Sequence, residues 1–196
     1  NAVDVDATDV LNALTMTGNS ANNVLIGTFF ADTMVGGAGE DTLDGSGGND
    51  TMTGGAGNDA MDGGAGDDRF VIAVVADLGA TESITGGSGM DTLFYTYTGT
   101  AAANLTLTLG AAVDVEKVTI GTLAGSTAGV NAINVNASAM LNGVTLTGNS
   151  GLNTMTGSAF DDTLIGGAGK DTLAGGLGND TFMLSALGHF AAGEIM

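Results

Sequence analysis

The stretch GGAGEDTLD (36–44), GSGGNDTMT (45–53), GGAGNDAMD (54–62), GGAGDDRFV (63–71) repeats one nine-residue pattern four times without a gap. The pattern returns as GGAGKDTLA (166–174) and GGLGNDTFM (175–183). A short fixed period means that one backbone unit is stacked many times over. Looser copies precede each run: GNSANNVLI (18–26) and GTFFADTMV (27–35) before the first, GNSGLNTMT (148–156) and GSAFDDTLI (157–165) before the second. One further copy, GGSGMDTLF (86–94), stands apart.

Each unit divides into a six-residue turn and a three-residue strand. Glycines in the turn permit positive φ and let carbonyls point inward without a Cβ clash. Those carbonyls and the sixth-position carboxylate are hard oxygen donors of the kind Ca²⁺ takes. Along the strand, alternation sends the middle side chain to one face and its neighbours to the other. The middle positions are Leu25, Met34, Leu43, Met52, Met61, Phe70 and Leu93, then Met155, Leu164, Leu173 and Phe182. All are apolar, so they are expected to form interior ladders, with Phe70 and Phe182 plugging the ends of the two blocks.

Composition agrees. The chain has 196 residues and a net charge of −19, from 22 acidic and 3 basic side chains. That excludes nucleic acid and anionic membrane surfaces as partners. Yet 43% of residues are hydrophobic, so this is not a solvated acidic tail. So much acid on a chain able to bury a core calls for a divalent counter-ion. Glycine is 35 of 196 residues with no collagen-like period. Proline, which cannot donate to a sheet ladder, is absent. Cysteine is absent too, excluding disulfides, thiolate zinc and a cysteine nucleophile. No apolar run reaches the ~20 residues of a membrane-spanning helix, so membrane insertion is not expected. The chain opens on Asn1 with no signal-peptide pattern and reads as a piece of a longer polypeptide.

The pattern resembles the repeats-in-toxin (RTX) nonapeptide GGxGxDxUx. The resemblance covers roughly half the chain, in register across tandem copies. It implies an all-β fold, a parallel β-roll or β-solenoid in which two units make one 18-residue coil. It also implies calcium held between a turn and the turn two units later on the same edge. The candidate ligands are then Gly36, Ala38 and Asp41; Gly45, Gly47 and Asp50; Gly54, Ala56 and Asp59; Gly63, Ala65 and Asp68. In the second block they are Gly166, Ala168 and Asp171, then Gly175, Leu177 and Asp180. Asp32, Asp91 and Asp162 complete the set. The pairs Asp32/Asp50, Asp50/Asp68, Asp41/Asp59 and Asp162/Asp180 each carry two carboxylates. Asn23 and Asn153 stand where an Asp would, so pairs that include them are expected to bind more weakly. Phe29, Phe30 and Phe160 break the glycine pattern in the turns that open each block.

A longer repeat overlies the short one. Val3–Ser20 matches Ile133–Ser150 at an offset of 130, whereas Gly175–Leu184 aligns with Gly63–Ile72 at an offset of 112. The two offsets differ by one coil. Residues 1–130 therefore read as one module of a tandem array, and 131–196 as the start of the next. Within it, 1–17 is a solenoid lead-in, 18–72 the first roll block and 73–147 an irregular, calcium-poor β segment holding the isolated unit 86–94. The second block spans 148–184, and 185–196 begins a following segment. Strands are expected over Leu93–Tyr97, Leu105–Leu109, Val113–Ile120, Val130–Val135 and Val144–Leu146, with Ala73–Leu78 able to form one helical turn.

Other chemistries find little support. His189 is the one histidine and has no cysteine to share a zinc site. Neither HExxH nor GxSxG occurs. In Asp67/Asp68 and Asp161/Asp162 the second carboxylate is the expected ligand and the first an exposed neighbour. The nine methionines read as core filler. Thr-x-Thr pairs such as Thr51/Thr53 suit outward strand faces. A merely solvated acidic face would not require Gly at the first, second and fourth positions.

The architecture is similar to RTX-bearing S-layer proteins and giant adhesins of Gram-negative bacteria. That resemblance implies a non-enzymatic, calcium-dependent module on the cell surface, exported unfolded by a type I route. Its expected partners are calcium, further copies of itself and a cell-surface polysaccharide. The alternative is the C-terminal roll of a type I-secreted enzyme (protease, lipase or epimerase) or of a toxin.

Overall fold

A computed structural model describes residues 1–72, 83–96, 105–108, 114–121 and 133–183. The described residues are all β-strand, turn and bend, with no helix among them. They fall into two compact units, one built from residues up to 93 together with Asp114 and Val115, the other from 94 onward without those two. The suggested helical turn at Ala73–Leu78, His189 and the segment 185–196 lie outside the described residues, as do the first residues of the strands expected from Val113 and Val130.

In the first unit, one parallel sheet runs β1 (Asp4–Asp6), β3 (Val24–Ile26), β5 (Thr42–Asp44), β7 (Ala60–Ala65), β9 (Ser83–Ser88). The second sheet runs β2 (Thr15–Thr17), β4 (Thr33–Ala38), β6 (Thr51–Ala56), β8 (Arg69–Ile72), and then β10 (Thr92–Tyr95), of which Thr92 and Leu93 belong to this unit. Odd strands share one sheet and even strands the other, so the chain winds as a coil of two short strands. The register joins like with like: Leu25 to Leu43 to Met61 to Ile84, and Met16 to Met34 to Met52 to Phe70. Every one of these side chains is buried. The interior ladders are therefore the middle positions of the nine-residue unit.

Two rungs depart from the sequence reading. The turn at Gly86, set apart in the sequence, stacks directly on the turn at Gly63: Asp68 N–H donates to Asp91 Oδ1 across 23 residues, where other coils span 18. The five extra residues lengthen one coil and leave the ladder intact. Phe70 is fully buried and the sheet continues past it, since Thr92 N–H donates to Asp68 O. It fills an interior rung, not the end of a block.

In the second unit, β11 (Leu105–Thr108), β13 (Ile133–Asn136), β15 (Thr154–Thr156) and β17 (Thr172–Ala174) form one parallel sheet. Facing strands β12 (Lys117–Ile120), β14 (Thr145–Thr147), β16 (Thr163–Ile165) and β18 (Thr181–Met183) follow one another in parallel register. Val118, Leu146 and Leu164 form a buried ladder that leads to Phe182, and Val135, Met155 and Leu173 form its counterpart. Strands β11 to β14 thus join the same parallel winding as the repeats of the second block. The fold is an all-β parallel β-roll.

Candidate metal sites

The turn geometry assigns different work to different glycines. Second and fourth positions take positive φ, as at Gly37 (φ 117°) and Gly39 (φ 111°), where L side chains are strained. The first position is different. A Cβ on Gly36 would fall on the Asp41 carboxylate and the Gly54 carbonyl, so this glycine keeps open a space in which those two oxygens converge. The same convergence recurs at Gly45, with Asp50 Oδ2 and the Gly63 carbonyl, and at Gly63, with Asp68 Oδ2 and the Gly86 carbonyl.

Every sixth-position carboxylate except that of Asp180 is buried; Asp50 and Asp91 are 0% exposed, and Asp41 and Asp59 at most 2%. One oxygen ties adjacent coils together. Asp32 N–H donates to Asp50 Oδ1 (2.7 Å), Asp41 N–H to Asp59 Oδ1 (2.8 Å) and Asp50 N–H to Asp68 Oδ1 (2.8 Å). In the second unit Asn153 N–H donates to Asp171 Oδ1 (2.9 Å) and Asp162 N–H to Asp180 Oδ1 (3.0 Å). The ladder begins one coil earlier than the acidic residues do: Leu14 N–H donates to Asp32 Oδ1 (2.6 Å) and Val144 N–H to Asp162 Oδ1 (2.8 Å).

The other oxygen is the one left over. Among the described residues, Oδ2 of Asp41, Asp50 and Asp68 is buried with no hydrogen-bond partner. A buried anionic oxygen without a partner is costly. Burial pushes the Asp50 carboxyl up to about 7, with the carboxylates of Asp68, Asp32 and Asp44 adding to the rise. Burial likewise raises Asp41 and Asp68. Outside the turns, Asp62 is raised by burial and by Asp44, its cross-strand partner in β5 and β7.

These residues suit Ca²⁺. Among the described residues no three carboxylate or imidazole side chains come together, so a cation here must combine a carboxylate with backbone carbonyls. Hard oxygen donors of that mixed kind are what calcium takes, in flexible geometry. Third-position carbonyls are already half-used: Ala56 O and Ala65 O accept N–H bonds from Gly39 and Gly48 (2.8 Å each), which leaves one lone pair each. Ala38 pairs with Ala56, and Gly47 bridges to Ala65. In the second block Asp171 is buried beside Gly166, and Asp180 is half-buried beside Gly175, with Leu177 exposed on the same turn. Ala168 is half-buried on the Gly166 turn. In the two acidic doublets the first member is exposed and the second buried, as at Asp67/Asp68 and Asp161/Asp162.

Some contributors had no signal in the sequence. Asp114 adopts φ 55°, and its carbonyl comes against Gly86 where a first-position glycine of the next coil would otherwise stand. Ser46, the second residue of its turn, is held at φ 66° by Asp44, whose Oδ1 accepts the Ser46 N–H at 2.8 Å. The first depends on which coil lies above which, the second on a contact within one turn.

The model of the RTX calcium-binding nonapeptide repeat family, four copies long, matches residues 17–52, 35–70 and 147–182. No curated protein matches the chain.

Proposed function

Residues 17–70 and 147–182 are RTX calcium-binding nonapeptide repeats, and we propose that the chain is a non-enzymatic structural module that stiffens on calcium and stacks onto further copies of itself. The module serves in an S-layer, surface filament or adhesin stalk at the surface of a Gram-negative bacterium.

One observation carries the self-stacking. Strands β1 and β2 stand last in their sheets, with one edge open among the described residues. Their equivalents at the offset of 130 are β13 and β14, and there the same edge carries β11 and β12 in parallel register. Burial differs accordingly: Val135 is 2% exposed where Val5 is half-buried, and Met140 is 3% exposed where Val10 is 38% exposed. An open parallel edge is a template for another strand. The strand pair that fits it is the one that covers its twin, supplied by another copy.

The calcium dependence follows from the carboxylates. In the stacked state Asp32, Asp50, Asp68 and Asp91 succeed one another on a single edge, each bonded through one oxygen to the amide one coil before. Calcium, when bound, supplies the positive charge that the second oxygens of Asp50 and Asp68 lack. Its binding free energy then becomes folding free energy. A chain of this kind stays unfolded during export from a low-calcium cytoplasm and folds outside.

Two copies joined head to tail test the stacking. Amide exchange at Val5 and Met16 is expected to be slower in the downstream copy than in the upstream one. Equal exchange in both copies counts against it.

A further inference from the structure

Two kinds of turn share the nine-residue frame. In the turns at Gly36 and Gly63 the second residue is a glycine with positive φ (117° at Gly37, 89° at Gly64), and Asp41 and Asp68 keep an Oδ2 without a donor. The turn at Gly45 behaves the same way, because Ser46 is left-handed and gives its N–H to Asp44, not to Asp50.

The turns that open each block keep the convergence of Asp Oδ2 and the next coil's carbonyl at Gly27 and Gly157, but differ in what the carboxylate accepts. Thr28 N–H donates to Asp32 Oδ2 and Ser158 N–H to Asp162 Oδ2, each at 2.6 Å. The Ser158 hydroxyl adds a bond to Asp162 Oδ1 at 2.9 Å. With Oδ1 already taken by Leu14 and Val144, both oxygens of Asp32 and Asp162 are satisfied. One unit earlier on each block, Asn19 N–H donates to Asn23 Oδ1 (2.6 Å) and Asn149 N–H to Asn153 Oδ1 (3.0 Å), so the group there is a neutral amide as well.

The second residue's side chain makes this conformation possible. Its oxygen accepts an N–H two residues on: Asn19 from Ala21, Thr28 from Phe30, Asn149 from Gly151 and Ser158 from Phe160, at 2.7 to 3.1 Å. Such side-chain turns stand in for a glycine of positive φ. None of these four residues has positive φ.

We propose that the turns at Gly18, Gly27, Gly148 and Gly157 take no calcium, because a backbone N–H occupies the oxygen that the ion takes in the other turns. A short amide bond to a carboxylate is charge-assisted and satisfies the anion. The four turns are consecutive in pairs, so each block opens with one complete coil whose two edges are both metal-free. That coil sets the register for the first calcium turn through the N–H groups of Asn23 and Asp32, which donate to Asp41 and Asp50 (2.7 Å each). In a solenoid, where each coil meets only its neighbours, such a coil is a place from which stacking can propagate. The inference stands on the calcium repeats and is independent of the proposed self-stacking.

Ion counting on the full chain by equilibrium dialysis tests it. Ser158→Gly with Phe160→Gly converts GSAFDD to GGAGDD, the sequence of residues 63–68. This variant is expected to bind one more Ca²⁺ than the wild type, and an unchanged count overturns the proposal. Because that variant changes two residues of a turn, Asp32→Asn gives a second reading without such a change. It is expected to retain the wild-type count whereas Asp50→Asn loses an ion. Loss of an ion on Asp32→Asn overturns the proposal.

Discussion

Asp32 N–H donates to the Oδ1 of Asp50, 2.7 Å away and 18 residues later, and both carboxyl groups are buried. The bond makes each acid a structural tie to the coil before it, whatever its second oxygen does. Carboxylates that must pack this closely to form the sheet are also the groups whose charge opposes it.

This coupling sets a pH dependence. The Asp50 carboxyl is pushed up to about 7 in the stacked state by burial, with neighbouring carboxylates adding to it, against an unfolded value of ~4. A raised acid pKa means that the folded chain holds more protons, so calcium-free stability is highest below the unfolded value and falls as pH rises towards about 7. In EGTA, β-structure by circular dichroism is expected to be greater at pH 4 than at pH 7.5. With calcium the trend reverses, since protons compete for the same oxygens. Equal spectra at the two pH values in EGTA would refute this.

The two acids of Asp67/Asp68 should separate cleanly. Asp68 is 1% exposed with Oδ2 lacking a donor among the described residues, while Asp67 is exposed and accepts the Met90 N–H at 2.9 Å. Asp68→Asn is expected to raise the calcium midpoint of folding several-fold. Asp67→Asn should shift stability by no more than about 0.5 kcal/mol. A calorimetric calcium titration of both variants distinguishes them.

Glycines at the first and third positions should differ as sharply. Gly36→Ala puts a Cβ onto Asp41 Oδ2 and the Gly54 carbonyl, and is expected to abolish binding at that turn. Gly47→Ala meets nothing nearer than the Phe29 ring at 3.5 Å, and alanine already stands at the same position as Ala38 and Ala56. It should leave calcium-dependent folding unchanged, a difference that titration followed by circular dichroism would show.

The interior ladder is thin, so truncation should be costly. Leu43 is 0% exposed between Leu25 and Met61, and Leu43→Ala is expected to cost ~2–5 kcal/mol. Thr42→Ala, on the exposed face of the same strand, should cost ~0.5 kcal/mol or less. Urea unfolding in saturating calcium measures both; equal losses would contradict the ladder.

The sequence by itself determined the repeating unit. Period, apolar middle position and turn-ending Asp are local properties, and Leu25, Met34, Leu43, Met52 and Met61 sit in the core as alternation requires. The eighteen-residue coil was legible in the same way, from two offsets within one chain. The stacking of turns two units apart within a block was expected too, and Asp32/Asp50, Asp41/Asp59, Asp50/Asp68 and Asp162/Asp180 are joined accordingly. Only the tertiary structure decided what lies over the last turn of the first block. Gly86 rests on Gly63 because strands 23 residues apart keep the same register as those 18 apart. Phe70 lies within the ladder for the same reason. Phe29, Phe30 and Phe160 read as breaks in a glycine pattern, yet in those same turns the amides of Thr28 and Ser158 complete the carboxylates of Asp32 and Asp162. Whether a buried oxygen is left for a cation depends on where one N–H points, and that is set by the sign of φ and by the coil below, neither of which a spacing of residue types records.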